Sequence, residues 1–288
     1  MFWQTTRFQI DLSQPKVMGI VNVTPDSFSD GGQFFAPGSG MASALAHCEQ
    51  LVKDGADMLD IGGESSRPGA QPLPLADELA RILPVVRHAL TLGVAVSVDT
   101  YKPEAMQAVL DLGVDIVNDI WALRQPGALE AVVAHPNCGV CLMHMHREPQ
   151  TMQAEPMQGD VVAQVLAFLK QQAKLLEVLG VANNRITLDP GIGFGKTVAQ
   201  NFALLSRQSD LLAAGYPLVA GWSRKSSLAA VSSTSLELVA QMSIADRMVP
   251  SVAAAVLAVE RGARVVRVHD VRETAQALKV WTASKMSD

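Results

Sequence analysis

Residues 94–119 read VAVSVDTYKPEAMQAVLDLGVDIVND, and this stretch decides the fold. A β-branched run, Val94–Asp99, comes first, and an amphipathic stretch, Ala105–Leu112, follows it. Pro103 stands at an early helical position and Gly113 supplies a stop, as is typical of a short helix. A second β-branched run, Asp115–Asp119, comes next. The stretch therefore predicts a strand, a helix and a second strand, the unit from which parallel sheets are built.

The same unit repeats along all 288 residues. Eight predicted strands start about 35 residues apart on average, and each precedes a stretch that can form a helix. Eight such units fit a closed (β/α)8 TIM barrel better than an open sheet of five or six strands. The predicted strands are Lys16–Asn22, Asp57–Ile61, Val94–Asp99, Asp115–Asp119, Gly139–His144, Arg185–Asp189, Pro217–Gly221 and Arg264–His269.

No low-complexity linker divides the chain, so we predict a single domain over residues 1–288. Residues 1–15 are expected to form an N-terminal cover, with Phe8–Leu12 over the barrel floor, and residues 16–284 the barrel. Helices are predicted at Ala163–Val178 and Ser251–Arg261, both ending at glycine. Long loops are predicted at four places: Thr24–Gly40, Gly62–Leu75, Met145–Gly159 and Trp222–Ser235.

Composition narrows the class of protein. Hydrophobic residues make up 49% and charged residues 18%, which is typical of a globular chain able to bury a large core. The net charge of −5 provides no basic field for nucleic acid or anionic lipid, and no apolar run is long enough to span a membrane. The start lacks the pattern of a secretory signal, and three cysteines favour a reducing compartment. We therefore expect a cytoplasmic protein that binds neither nucleic acid nor membrane.

Polar residues stand at the carboxyl ends of the predicted strands. In a barrel these ends converge on one mouth, where active sites of this fold lie. Aspartate or asparagine at a strand end can also cap the next helix or shape a turn, but that explains single positions better than a set from every unit. The residues are Asn22, Asp60, Asp99, Asn118, His144, Asp189, Lys225, Arg267 and His269.

Three of these residues, Asp60, Asp99 and Asp189, would bring carboxylates into one cavity. A carboxylate removed from water without a partner costs several kcal/mol. The mouth must therefore supply cations, hydrogen-bond donors or a ligand rich in N–H groups. A flat heterocycle with an amidine-like edge matches a carboxylate bidentately, so it is the ligand class that these residues favour.

Three other motifs are weak signals. The run Gly191-Ile-Gly-Phe-Gly-Lys-Thr197 resembles a phosphate-binding loop, but Pro190 stands where the pattern requires glycine. Cys138 and Cys141 have the C-x-x-C spacing found in redox and zinc sites. The chain has no second cysteine pair, so buried cysteines of a core strand are the better interpretation. His144 and His146 lack an evident third metal ligand.

Several longer motifs, in order from the first predicted strand to the last, resemble the dihydropteroate synthase family. They are Asn22-Val-Thr-Pro-Asp-Ser-Phe-Ser-Asp30, Gly62-Gly-Glu-Ser-Ser-Arg-Pro-Gly69, Val98-Asp-Thr100, Val117-Asn-Asp119, Leu188-Asp-Pro-Gly-Ile-Gly-Phe-Gly-Lys196, Ser223-Arg-Lys-Ser226 and Val266-Arg-Val-His-Asp270. The resemblance implies an enzyme of folate synthesis that joins 6-hydroxymethyl-7,8-dihydropterin diphosphate to 4-aminobenzoate, giving 7,8-dihydropteroate and pyrophosphate. It also implies an SN1-like substitution, a Mg²⁺ cofactor, sulfonamide competition for the aminobenzoate pocket, and a homodimer.

The resemblance also implies roles for individual residues. The residues it places at the pterin are Asp99, Asn118, Asp189 and Lys225. Those at the diphosphate are Asn22, Arg67, Arg267 and His269, with Asn22 also placing Mg²⁺. Those around 4-aminobenzoate are Phe28, Ser66, Pro68, Phe194 and Ser226. The catalytic set is Asp30, Lys225, Arg267 and His269, in which Asp30 stabilises the developing cation.

The chain departs from the family pattern at two places: Ser66 replaces a usual threonine, and the segment after Ser226 lacks a glycine-containing stretch. Three other functions remain open. A pterin-dependent methyltransferase that serves a corrinoid would share the pterin pocket, but it has no diphosphate for Arg267 and His269 to hold. A non-catalytic pterin-binding protein would not need Asn22, Asp30 or Lys225. A Schiff-base enzyme using Lys225 has only that lysine in its favour.

Overall fold

The computed structural model describes residues 1–24, 39–65, 69–152, 154–233 and 242–285. These described ranges contain ten strands. Two short ones, β1 (Phe2–Gln4) and β2 (Gln9–Asp11), form an antiparallel hairpin. The other eight are β3 (Lys16–Asn22), β4 (Met58–Gly62), β5 (Ala95–Asp99), β6 (Ile116–Asp119), β7 (Gly139–Met143), β8 (Ile186–Asp189), β9 (Leu218–Ala220) and β10 (Ala263–Val268).

Strands β3 to β10 close into one parallel barrel, in which each strand pairs with the next in sequence and β10 pairs back with β3. The predicted (β/α)8 TIM barrel is confirmed, and every predicted strand lies within one residue of the observed bounds. Most strand residues are buried and aliphatic on both faces, as parallel strands covered by helices require, and Asp60, Ser97 and Thr187 are buried polar exceptions.

At least one helix follows each of the barrel strands β3 to β10 and packs outside the barrel. The α-helices are α1 (Ser39–Lys53), α2 (Leu75–Ala89), α3 (Pro103–Asp111), α4 (Ala128–Ala134), α5 (Val161–Val178), α6 (Val198–Ser206), α7 (Gln208–Leu211), α8 (Ser226–Ser232), α9 (Met248–Glu260) and α10 (Val271–Lys285). Short 3₁₀ turns lie at Asn183–Arg185, Leu212–Ala214 and Ala245–Arg247.

Helix α5 begins two residues earlier than its predicted start at Ala163. The cause is Asp160, whose carboxylate accepts hydrogen bonds from the amides of Val162 and Ala163 and so caps the first turn. Its buried face recurs at three- and four-residue steps, from Val165 to Leu176, as the sequence pattern predicts.

The prediction of a loop over Trp222–Ser235 is wrong in its middle part, where Ser226–Ser232 form the helix α8. Leu228 and Ala229 bury one side of this helix, and the amide of Asn201 donates to the Ser227 hydroxyl at 2.9 Å. A seven-residue helix is too short to show helical periodicity in sequence, so tertiary contacts decide its conformation.

The β1–β2 hairpin covers the amino-terminal end of the barrel. Trp3 is fully buried there, and its indole nitrogen donates to the carbonyl of Arg185 at 2.9 Å. Arg7 holds the buried carboxylate of Asp115, just before β6, through its Nε and Nη2 atoms. The hairpin thereby fills the barrel floor and leaves the opposite end as the open mouth.

Candidate active site

A small pocket, with about 50 Å³ of enclosed space, lies at the carboxyl ends of the barrel strands and opens to solvent. The residues that line it are Asp99, Asn118, Ile120, Met143, Asp189, Ile192, Phe194, Gly221, Lys225 and Arg267. Six of them belong to the predicted site, and the strand order brings them together from five different βα units.

Arg267 lies between two carboxylates. Its Nε atom donates to Asp60 Oδ2 at 2.6 Å and its Nη2 atom to Asp99 Oδ2 at 2.7 Å. Burial raises the pKa of Asp99 to about 7, while Arg267 acts in the opposite direction. Burial also disfavours the charge on Arg267, but the two carboxylates outweigh it and raise the pKa of the guanidinium. The guanidinium is thus fixed at the inner wall of the pocket.

Asp60 was among the strand-end residues, but sequence reasoning gave it no role. It lies in the middle of β4 and is fully buried, and its Oδ2 also accepts from the Asn118 amide at 3.1 Å. Its other oxygen, Oδ1, is buried and has no hydrogen-bond partner among the described residues. Asp60 therefore supports two predicted substrate-binding residues, Asn118 and Arg267, from beneath. Spacing alone could not show this, because Asp60 and Arg267 are 207 positions apart.

Asp189 and Lys225 lie on the neighbouring wall. The Asp189 Oδ1 atom accepts the amide of Gly191 at 2.7 Å, and burial raises the pKa of this carboxyl. The Lys225 ammonium lies 4.3 Å from the centre of the Phe194 ring, a cation–π contact. Burial and the positive charge of Arg267 lower the pKa of Lys225 to about 8, although Asp189 and Asp99 oppose this. The pocket thus combines acceptors for N–H groups with two cations.

His269 and Asn22 meet at the rim. The Nε2 atom of His269 lies 3.4 Å from the Asn22 amide nitrogen, and its Nδ1 atom lies 3.0 Å from the Ser223 hydroxyl. The same hydroxyl accepts the His269 backbone amide at 3.1 Å. Ser223 had no predicted role, although it stands in the quoted Ser223–Ser226 motif. Its contacts with His269 come from the juxtaposition of β9 and β10.

The other predicted site residues fall into two groups. Ser226 is exposed at the first turn of α8 and does not line the pocket, whereas Phe194 does. Five predicted residues lie outside the described part of the chain: Phe28, Asp30, Ser66, Arg67 and Pro68.

The weak metal and redox signals do not assemble into a centre. Cys138 and Cys141 are buried free thiols, and burial raises the pKa of each. His144 is buried against Lys196 and Phe168. In the described ranges, no group of three or more His, Cys, Asp or Glu residues is placed to hold a metal ion. Nor does any helix in those ranges have the length and apolar character needed to cross a membrane.

Comparison with known proteins agrees with this geometry. A family model described as pterin binding enzyme matches residues 18–269. A dihydropteroate synthase of Neisseria meningitidis serogroup C is 48% identical over 283 residues, which are 98% of this chain and 96% of that protein.

Two solved structures cover almost the whole chain. The Burkholderia cenocepacia dihydropteroate synthase in complex with 7,8-dihydropteroate is 46% identical, with a TM-score of 0.87 over 99% of this chain and 97% of that one. The Xanthomonas albilineans dihydropteroate synthase with 4-aminobenzoic acid is 43% identical, with a TM-score of 0.88 over 99% of both chains. The chain therefore belongs to the dihydropteroate synthase family of pterin-binding enzymes, and it is a transferase with that family's activity.

Proposed function

We propose that the mouth pocket binds 6-hydroxymethyl-7,8-dihydropterin diphosphate and transfers its pterin-methyl group to 4-aminobenzoate. The observation that carries this assignment is the convergence of Asp99, Asn118 and Asp189 on one pocket with Lys225 and Arg267. The carboxylates and the amide match the N–H and carbonyl groups along the edge of a pterin. The likeness to a structure holding 7,8-dihydropteroate supports the same placement.

The reaction proceeds by loss of diphosphate before attack. The bond between the pterin methylene carbon and the diphosphate oxygen breaks, and its electron pair leaves with the diphosphate. The resulting cationic methylene is conjugated with the pterin. The amino nitrogen of 4-aminobenzoate then forms the new C–N bond and loses a proton, giving 7,8-dihydropteroate and pyrophosphate.

Different residues bind the diphosphate and stabilise the cationic methylene. Lys225 and Arg267 attract the diphosphate, and Asn22 with His269 marks the rim where its outer phosphate would lie. Asp99 and Asp189, whose carboxylates line the pocket, would stabilise the positive charge of the methylene, because an electrostatic interaction is stronger where water is excluded. Asp30 and Arg67, outside the described residues, are proposed to complete the catalytic set and the diphosphate site, in line with the family motifs.

A Mg²⁺ ion would bind with the diphosphate rather than in a protein cage. The Asn22 amide nitrogen faces His269, which leaves the amide oxygen as a possible ligand. Mg²⁺ commonly takes one or two protein oxygens and completes its shell with substrate phosphate and water, so one amide fits the ion. When bound, Mg²⁺ supplies charge neutralisation for the leaving diphosphate.

Calorimetry of pyrophosphate binding tests whether Mg²⁺ binds together with the diphosphate. Pyrophosphate should bind more tightly with Mg²⁺ than with excess chelator, and Asn22→Ala should reduce that difference. Equal pyrophosphate affinity with metal and with chelator would contradict the proposal.

A homodimer is proposed from the surface of α9. Val249, Ala253 and Leu257 are exposed and recur at four-residue steps, which gives an apolar stripe along the helix. A second copy of the chain would cover the stripe. In light scattering, Leu257→Glu should halve the mass, whereas Val280→Glu, on the exposed side of α10, should not. A monomeric wild type would overturn this proposal.

Two further proposals concern location and inhibitors. A cytoplasmic location suits Cys48, Cys138 and Cys141, which are all free thiols, since a reducing compartment keeps them so. Cell fractionation tests this assignment.

Sulfonamides should compete with 4-aminobenzoate at the pocket wall formed by Phe194, so inhibition should weaken as the concentration of 4-aminobenzoate increases.

Pyrophosphate release from the pterin diphosphate tests the function itself. The proposal predicts fast release with 4-aminobenzoate and formation of dihydropteroate in equal amount. No release with or without 4-aminobenzoate would indicate a binding protein. Transfer of a methyl group instead would indicate the methyltransferase class.

A further inference from the structure

Lys196 is a buried lysine with no predicted role. Its side chain is 2% exposed, and no carboxylate of the described residues lies within ion-pair distance of its ammonium group. An uncompensated buried charge costs several kcal/mol, so its retention needs a structural reason. The contacts of the ammonium group give that reason.

The ammonium nitrogen is surrounded by acceptors. It lies 2.8 Å from the Gly191 carbonyl oxygen, 3.0 Å from that of Phe194 and 3.0 Å from His144 Nδ1. Burial, followed by the charge of Lys196, lowers the pKa of His144 to about 2, so the ring is neutral and Nδ1 can accept. The His144 carbonyl oxygen is a fourth acceptor at 3.4 Å, so acceptors surround the three N–H donors of the ammonium group. Burial lowers the pKa of Lys196 itself to about 7, and the negative charge of Asp189 opposes this shift.

The carbonyl groups belong to the loop between β8 and α6, residues 190–196. Gly191, Gly193 and Gly195 all have positive φ, a conformation that costs glycine little. The loop carries Phe194, whose ring lines the pocket and contacts the Lys225 ammonium. Lys196 therefore binds the backbone on both sides of the turn that presents Phe194.

Asn201 holds the same loop from the side of α6. Its Oδ1 accepts the Gly193 amide at 2.8 Å, and its Nδ2 donates to Ser227 of α8 at 2.9 Å. Asn201 is 1% exposed, and like Lys196 it does not line the pocket. The loop is thus fixed from two directions by buried side chains that are not placed to touch the substrate.

We propose that Lys196 and Asn201 are positioning residues for the second substrate, acting through the backbone of residues 191–194 to hold the Phe194 ring beside Lys225. The inference rests on the proposed function. It assigns the two residues to the 4-aminobenzoate side of the pocket. The predicted pterin-reading side chains Asp99 and Asn118 stand on barrel strands away from this loop. Asp189 also stands on a strand, β8, although its Oδ1 accepts the Gly191 amide of the loop.

A steady-state comparison of Lys196→Met with wild type tests the inference. The KM for 4-aminobenzoate should rise about tenfold or more, while the affinity for a pterin lacking the diphosphate should stay within about twofold. Lys174→Met is the matched control, because Lys174 is an exposed lysine on α5. Equal losses for both ligands, or no change in KM, would overturn the assignment.

A double-variant cycle separates positioning from general damage. If Lys196 acts through Phe194, then Lys196→Met should add little to the KM effect of Phe194→Ala. Additive effects would contradict the proposal.

Asn201→Ala decides the matter if Lys196→Met fails to fold. It should raise the KM for 4-aminobenzoate selectively in the same way, and a lack of selectivity would overturn the proposal. A wild type that forms no dihydropteroate would instead disprove the proposed function, so the two failures can be told apart.

Discussion

Asp60 shows how the mouth tolerates several buried charges. One of its oxygens accepts hydrogen bonds from both Arg267 and Asn118. Arg267 also donates a hydrogen bond to Asp99 and so connects the two carboxylates. Removing charges from water costs several kcal/mol each, so each charge here is paired within a network. Asp189 differs, because in the described residues the one hydrogen bond to its carboxylate comes from the Gly191 amide. It is therefore the carboxylate best placed to read a ligand.

Replacement of Asp189 tests that role. In Asp189→Asn an amide replaces an acceptor-only group, so charge-assisted bonds of roughly 1.5–3 kcal/mol each are lost. We expect pterin affinity to fall by about a hundredfold or more, as measured by calorimetry. Asp111→Asn, an exposed aspartate on α3, should leave it unchanged. Unchanged affinity in Asp189→Asn would refute the role.

The lowered pKa of Lys225 predicts that pyrophosphate affinity depends on pH. Its pKa is lowered to about 8, chiefly by burial, so the cation is present below that pH and is lost above it. Pyrophosphate affinity should therefore decline as the pH rises through about 8, relative to Lys225→Arg, whose guanidinium stays charged. The ratio of the two dissociation constants, followed by calorimetry across this range, cancels the titration of pyrophosphate. A constant ratio would contradict the lowered pKa.

Sequence reasoning predicted that Asp99, Asn118 and Asp189 lie together, because each ends a strand and the barrel brings strand ends to one mouth. Their contact with a pterin stays a prediction. Sequence reasoning could not identify the roles of Asp60, Ser223 or Lys196. Their partners are distant in sequence or are backbone carbonyl groups, neither of which leaves a pattern in the chain.

At the scale of elements, the loop of residues 190–196 shows what a motif can conceal. Its glycine-rich run with lysine resembles a phosphate-binding loop, yet the lysine points into the protein and binds the loop's own backbone. The strands were predicted within one residue because turn residues bound each apolar run. Helix α8 was missed because its contacts with α6 stabilise it, not its own pattern.

Two glycine variants test the packing of this loop. Gly191 and Gly180 both have positive φ, but a Cβ on Gly191 would lie 1.8 Å from the His144 carbonyl oxygen, whereas nothing lies within 4 Å at Gly180. Gly180→Ala should cost about 1 kcal/mol of unfolding free energy, the backbone penalty alone. Gly191→Ala should cost clearly more in urea denaturation. Equal costs would show that the loop does not pack as described.

At the scale of the whole molecule, the two ends of the barrel have separate tasks. The floor is closed by the β1–β2 hairpin, whereas the mouth holds the proposed chemistry. The net charge of −5 does not indicate an anionic ligand, because it sums over the whole chain. The cations proposed to bind the diphosphate, Lys225 and Arg267, lie together in the mouth.

Arg7→Met tests that separation. The change leaves the buried Asp115 carboxylate without its cation, so unfolding free energy should fall by about 3 kcal/mol or more. Pterin affinity at a temperature where the variant is folded should be unchanged, because the hairpin is at the opposite end. Lys53→Met, an exposed lysine, is the control for stability. A loss of affinity in the folded variant would argue against independent ends.

The most direct test of the account is a crystal structure of the protein with a pterin bound. We predict the pterin in the barrel mouth, with its N–H edge within hydrogen-bond distance of Asp189 and its ring contacts extending to Asn118 and Arg267. A pterin bound elsewhere, or one that leaves Asp189 without a ligand hydrogen bond, would contradict the central claim.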